Sequence, residues 1–218
     1  MTGPRSRLAL LAATTAIVVA AALAVLLDRH ESPSPSSTSS SAGASSASAL
    51  SASGFDGAAL PARVRAHEFA LSDQSGQRVS LESYRGQVVI LAFLYSTCGS
   101  TCTLIAQQIR GALDELPRPV PVLLVSVDPH ADTPAHVGRF LAAVSLTGRV
   151  RYLTGSLRQL RPLWSAYGAT PPKAGRPQPS PAAVLLIDPR GFERVLFGLE
   201  QLTPEALAHD VGRLQSEP

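Results

Sequence analysis

Val88-Val89-Ile90-Leu91-Ala92-Phe93-Leu94-Tyr95-Ser96-Thr97-Cys98-Gly99-Ser100-Thr101-Cys102 is the stretch on which the reading of this chain turns. Its first half is apolar at every position from Val88 to Leu94, which is the pattern of a strand buried on both faces. Its second half holds the two cysteines of the 218-residue chain. From Cys98 to about Leu116 the chain reads as helical, with Leu104, Ile105, Ile109, Leu113 and Leu116 at helical spacing until Pro117 stops the pattern. Two thiols at a strand-to-helix turn point to sulfur chemistry, either thiol–disulfide exchange or the holding of a soft metal.

The spacing serves both. Residues i and i+4 of a helix lie on one face, one turn apart, so two thiolates so placed can share an ion. They can also close a disulfide, with a Cα separation near the upper end of the usual ~4.4–6.8 Å. A helix N-terminus adds partial positive charge, which favours thiolate over thiol. A purely structural bridge is the weaker reading, because closing so short a loop constrains the unfolded chain little.

Outward from this stretch the chain reads as one α/β domain over residues 60–218, with no internal repeat. Phe69-Ala70-Leu71 and Arg78-Val79-Ser80-Leu81 flank Asp73-Gln74-Ser75-Gly76 as a short hairpin. Residues 120–127 form a second buried strand, and Thr133-Pro134 opens a helix carrying Val137, Phe140 and Leu141. Arg151-Tyr152-Leu153-Thr154 is a short connection or strand. Ser156-Leu157-Arg158-Gln159 has the form of a capping box, and the helix behind it contains Pro162, which is expected to kink it or shift its start. Residues 183–187 and 193–197 are strands joined by Asp188-Pro189-Arg190-Gly191, and Thr203-Pro204-Glu205 begins a last helix. This order fits a thioredoxin-like central sheet with helices on both faces. The cysteines then sit at the carboxyl end of a central strand, where open α/β sheets place their sites.

The N-terminal part has a different character. Arg5 and Arg7 precede a predominantly apolar run over residues 8–27, long enough to span a bilayer as a helix of ~20 residues. The arginines predict a cytoplasmic tip and an uncleaved signal-anchor over residues 1–30, with the rest of the chain on the extracytoplasmic side of the cell membrane. A cleaved signal peptide is the rival, although its apolar core is usually only ~7–15 residues. Residues 31–59, rich in Ser and Ala, cannot bury a core and read as a tether. The exported compartment tolerates disulfides. The net charge of +3 comes from scattered arginines, and nothing in the pattern points to nucleic acid.

Together these residues resemble the Sco/SenC family of membrane-anchored, thioredoxin-fold proteins. The matching pieces are Leu81-Glu82-Ser83-Tyr84-Arg85-Gly86-Gln87-Val88-Val89, Phe93-Leu94-Tyr95-Ser96-Thr97-Cys98 with Cys102, Ser126-Val127-Asp128-Pro129 with Asp132-Thr133-Pro134, Leu153-Thr154-Gly155 and Leu186-Ile187-Asp188. The resemblance implies a role in maturing the copper centre of cytochrome c oxidase, as copper chaperone, thiol reductase or both. The implied partner is the oxidase's copper-bearing subunit or another exported thiol protein. By the same resemblance Cys98 and Cys102 are copper ligands, and the family adds one distant histidine.

Where the family has that histidine this chain has Ser180, and no histidine lies between His136 and His209. Three readings follow. His130 replaces it, emerging at the cysteine edge of the sheet if its strand runs parallel to the first. Alternatively the two thiolates alone hold copper(I). Or the chain is a metal-free thiol–disulfide oxidoreductase, with Cys98 attacking, Cys102 resolving and Pro181 near the position of a thioredoxin-like cis-proline. His136 is a weaker ligand candidate, and His67 and His209 read as surface residues. A thiol peroxidase is less well supported, since no proline lies at the expected place upstream of Cys98. An inert binding module would leave both cysteines unused.

Overall fold

The computed structural model describes residues 54–172 and 184–217. Eight strands are present among them: β1 (Ala58–Ala59), β2 (Ala70–Ser72), β3 (Arg78–Ser80), β4 (Val89–Leu94), β5 (Val122–Ser126), β6 (Arg151–Leu153), β7 (Val184–Ile187) and β8 (Glu193–Phe197). Four α-helices alternate with them: α1 (Ser100–Glu115), α2 (Pro134–Ala143), α3 (Leu157–Ala166) and α4 (Pro204–Ser216). Every residue of β4 and of β5 is buried. Successive side chains of a strand point to opposite faces, so this burial requires a sheet covered on both sides.

Six strands form that sheet in the order β1-β8-β7-β4-β5-β6, and β2–β3 make the separate hairpin expected from the turn residues. β4, β5 and β6 run parallel, with Leu94 opposite Ser126 and Val125 opposite Leu153. β7 runs antiparallel to β4, β8 to β7 and β1 to β8. The segment at residues 151–154, readable as either connection or strand, is thus a sheet strand over Arg151–Leu153, with Thr154 bridging to Ser72 of the hairpin.

Local chemistry sets the element ends. Thr133 caps α2 by accepting from the His136 amide, with Pro134 in the first turn. The capping box opens α3 as expected, the Ser156 amide donating to Gln159 Oε1 at 3.0 Å. Pro162 does not shift the start of α3; it lies exposed inside the helix, where the carbonyl it leaves unbonded can face water. α1 begins at Ser100 rather than Cys98, because Gly99 takes a positive φ of 81° that leaves Cys98 in the preceding turn. α1 packs on α4 across Gly111, where an added Cβ would stand 2.7 Å from Cγ of Pro204.

The packed unit takes in residues 54–59, which composition assigns to the tether. Phe55 is buried, and Asp210, itself buried in α4, accepts the amides of Asp56 and Gly57, each at 2.9 Å. Among the described residues no helix is long and apolar enough to cross a membrane. The expected span at residues 8–27, most of the tether, Ser180 and Pro181 lie outside the described residues.

The β2–β3 turn is organised by buried Asp73. Burial by itself would push its carboxyl up, but the Ser75 hydroxyl, the amides of Gln77 and Ser75, and Arg151 hold it below its ordinary value of 3.8. A carboxyl depressed by folding contributes stability above its unfolded pKa and loses it as pH falls through the folded value. Asp73→Asn is therefore expected to lower the thermal midpoint by a few degrees at about pH 7. Circular-dichroism melts should show the gap from the parent closing as pH drops below about 4.

Candidate dithiol site

Cys98 and Cys102 are joined in a disulfide, with their Cα atoms 5.8 Å apart. Cys98 lies in the turn that ends β4, its amide donating to the Tyr95 carbonyl at 3.2 Å. Cys102 lies in the first turn of α1 and is 1% exposed, whereas Cys98 is half-buried. The sulfur open to an incoming partner is therefore that of Cys98. Gly99, the N-cap of α1, offers no side-chain cap, and the first turn carries no acidic residue. The free amides of that turn leave their partial positive charge for a Cys98 thiolate to use once the bridge is reduced.

The parallel pairing of β4 and β5 meets the condition set for His130. It follows β5 at the sheet edge where β4 delivers Cys98, and it is exposed in the turn after Asp128. His136 is occupied differently, its Nδ1 lying 2.7 Å from the Ala131 carbonyl. His67 is exposed, and its amide donates to the Tyr167 hydroxyl. His209 is also exposed and lies against Asp56 and Asp210. These last three are the one trio among the described residues whose donor atoms lie within 4.8 Å of one another; Cys98, Cys102 and His130 do not form such a trio. The donor set suits copper(I) in the reduced form, since two thiolates are soft ligands, while the sulfurs of a disulfide are not thiolates.

Asp132, in the sequence one member of the Asp132-Thr133-Pro134 motif, is the junction of this edge in the structure. It is 4% exposed. Its Oδ1 accepts the Ser96 amide at 2.7 Å, and its Oδ2 accepts the hydroxyls of Ser126 at 2.5 Å and Tyr152 at 2.7 Å. Trp164 Nε1 donates to the Ser126 carbonyl at 2.9 Å, tying α3 to the same point. Burial and the Asp132 carboxylate push the Tyr152 phenol well above its ordinary value, so it remains a donor. Burial, with Asp128 and Asp132, raises Tyr95 as well. The Ser96 hydroxyl oxygen is buried with no hydrogen-bond partner among the described residues. A signal was present in the sequence: Ser126 ends an otherwise apolar strand, and Asp132 stands just before a helix cap.

The family model for SCO1/SenC matches residues 58–216. A "SCO1 protein homolog" of Bacillus subtilis is 28% identical over 101 residues, covering 45% of this chain and 52% of its own length. The structure of Bradyrhizobium japonicum ScoI with copper bound is similar with a TM-score of 0.52 and 26% identity, over 69% of this chain and 99% of that one. The structure of BsSco, described with a disulfide switch and as a member of the Sco family of cytochrome c oxidase assembly proteins, matches with a TM-score of 0.58 and 23% identity. That match covers 73% of this chain and 98% of BsSco.

Gly99 lends itself to a direct check of the turn. Its φ of 81° and ψ of −143° belong to a region nearly reserved for glycine, while an added Cβ would meet nothing within 4 Å. Gly99→Ala should therefore cost ~1–3 kcal/mol in urea unfolding from backbone strain alone. Gly138→Ala, inside α2 and equally open, should instead gain ~0.5–1 kcal/mol.

Proposed function

The chain belongs to the SCO1/SenC family, and on that footing we propose that its Cys98/Cys102 dithiol serves assembly of the cytochrome c oxidase copper site by delivering copper, reducing thiols, or both. The observation that carries the proposal is the Cys98–Cys102 disulfide at the end of the central strand β4, with Cys98 reachable and Cys102 buried. The copper-bound ScoI and the disulfide switch of BsSco support both halves of the reading. The apolar run at residues 8–27, with Arg5 and Arg7 before it, supports a single membrane anchor holding the domain on the extracytoplasmic side.

The form described is the oxidised one. Two electrons and two protons from an exported dithiol convert it to two thiols, and either role begins there. In reduction of a partner, the Cys98 thiolate attacks one sulfur of the partner's disulfide and releases the other as a thiolate. Cys102 then attacks the Cys98 sulfur, closes the bridge again and frees the partner's second thiol. In copper delivery, the two thiolates take copper(I) as cargo, with His130 the candidate third donor at the same edge. A metal-free oxidoreductase is the second reading. It is favoured by Ser180 in the family histidine's place.

Anaerobic copper(I) titration of the reduced full-length chain in detergent, against a competing chelator, separates these readings. The expected result is one copper(I) per chain, lost in Cys98→Ser and in Cys102→Ser. Weakening by His130→Ala adds the imidazole to the site, and unchanged binding leaves the thiolates sufficient. Binding no better than in the double Cys→Ser variant removes the copper role and leaves thiol exchange, which a mixed disulfide trapped by Cys102→Ser would then report.

A further inference from the structure

The Asp132-Thr133-Pro134 motif is only partly explained by the start of α2. Thr133 caps the helix and Pro134 fills its first turn, while Asp132 takes no part in either task. Its carboxylate turns instead to the dithiol edge, where Ser96, Ser126 and Tyr152 give it three hydrogen bonds, none from a charged group. We infer that Asp132 is a positioning residue for the dithiol: its buried carboxylate holds the turn that presents Cys98 and so biases the Cys98/Cys102 couple toward the disulfide.

The mechanical chain is short. Ser96 is two residues before Cys98, and the Cys98 amide closes the same turn on the Tyr95 carbonyl. Fixing the Ser96 amide on Asp132 therefore fixes Cys98. Asp132 is in turn held by β5 through Ser126 and by β6 through Tyr152, and Ser126 is itself held by Trp164 of α3. The other half of the couple needs no clamp, because Cys102 is buried in α1. With both sulfurs kept in reach after reduction, each thiol meets the other at high effective concentration, and reclosing of the bridge is favoured. Loosening the Ser96 turn lowers that concentration and shifts the equilibrium toward the dithiol.

Asp132→Asn preserves size but sets an amide, with two donors of its own, against three donors that expect an acceptor. The full-length, metal-free chain in detergent would be equilibrated with dithiothreitol redox buffers and its thiols counted by alkylation. In this couple the protein disulfide takes two electrons and two protons from the reagent, which becomes its cyclic disulfide. The expected shift toward the dithiol is about fivefold, equivalent to ~20 mV for a two-electron couple. Leu207→Ala, a cavity in the buried face of α4, serves as a control of general loosening and is expected to stay within about twofold of the parent.

A fold-competent Asp132→Asn within about twofold of the parent overturns the inference, as does a Leu207→Ala shift of equal size. Should Asp132→Asn fail to fold, Tyr152→Phe keeps the carboxylate and strips one donor. A shift of at least about twofold toward the dithiol is then expected, and parent-like behaviour overturns the inference. The inference rests on the proposed use of the dithiol, but its readout needs neither copper nor an oxidase. Failure here leaves the copper reading standing, and loss of copper binding leaves this measurement untouched.

Discussion

β4 and β5 lie side by side in parallel register, and neither exposes a residue to water. Parallel neighbours cannot be joined by a tight turn; the chain must cross the sheet and return to the starting end. Here α1 makes that crossing, so it has to begin where β4 ends. The cysteine pair at this junction is thereby carried to the sheet edge by the topology itself. The same pairing brings the end of β5, and with it Ser126, His130 and Asp132, to that edge. Most of what surrounds the disulfide follows from this single arrangement of two buried strands.

Polar groups enter a largely apolar interior at this edge, through Ser126 and Asp132, and at other turns away from it. Among the described residues the buried polar and charged ones are Asp73, Ser126, Asp132, Asp188 and Asp210. Each carboxylate among them accepts backbone amides of a nearby turn or edge segment: Ser75 and Gln77 for Asp73, Ser96 for Asp132, Arg190 and Phe192 for Asp188, Asp56 and Gly57 for Asp210. A buried acceptor with several aligned donors fixes a loop more firmly than apolar contact does, because breaking it strands a polar group away from water. The fold uses that device at each of these four segments.

The architecture could be read from the chain because its signals were local. The apolar run to Leu94, the Thr133-Pro134 and Ser156–Gln159 caps, and the Asp188–Gly191 turn each announce their structure within a few residues. The dithiol was equally plain, from two cysteines placed at a strand end. Asp132 was harder to see, since its meaning depends on Ser96 and Tyr152, which only the sheet order brings to it. The inclusion of Phe55 and Ala58 in the fold was hidden for a similar reason: their partners, in β8 and α4, lie at the far end of the sequence. The onset of α1 shifted from Cys98 to Ser100 because a glycine conformation, not hydrophobic spacing, decides where the helix begins.

β1 is an edge strand, paired only with β8, and Asp210 grips the two amides just before it. Tension arriving at residue 54 from the N-terminal side meets this grip and then the short β1–β8 ladder. Only these few bonds hold the strand, so they are the first to take such a load. Between β1 and β4 stand β8 and β7, so a load on the margin meets two other strands first. The strand that leads into the disulfide is thereby set apart from the point at which the chain enters the domain.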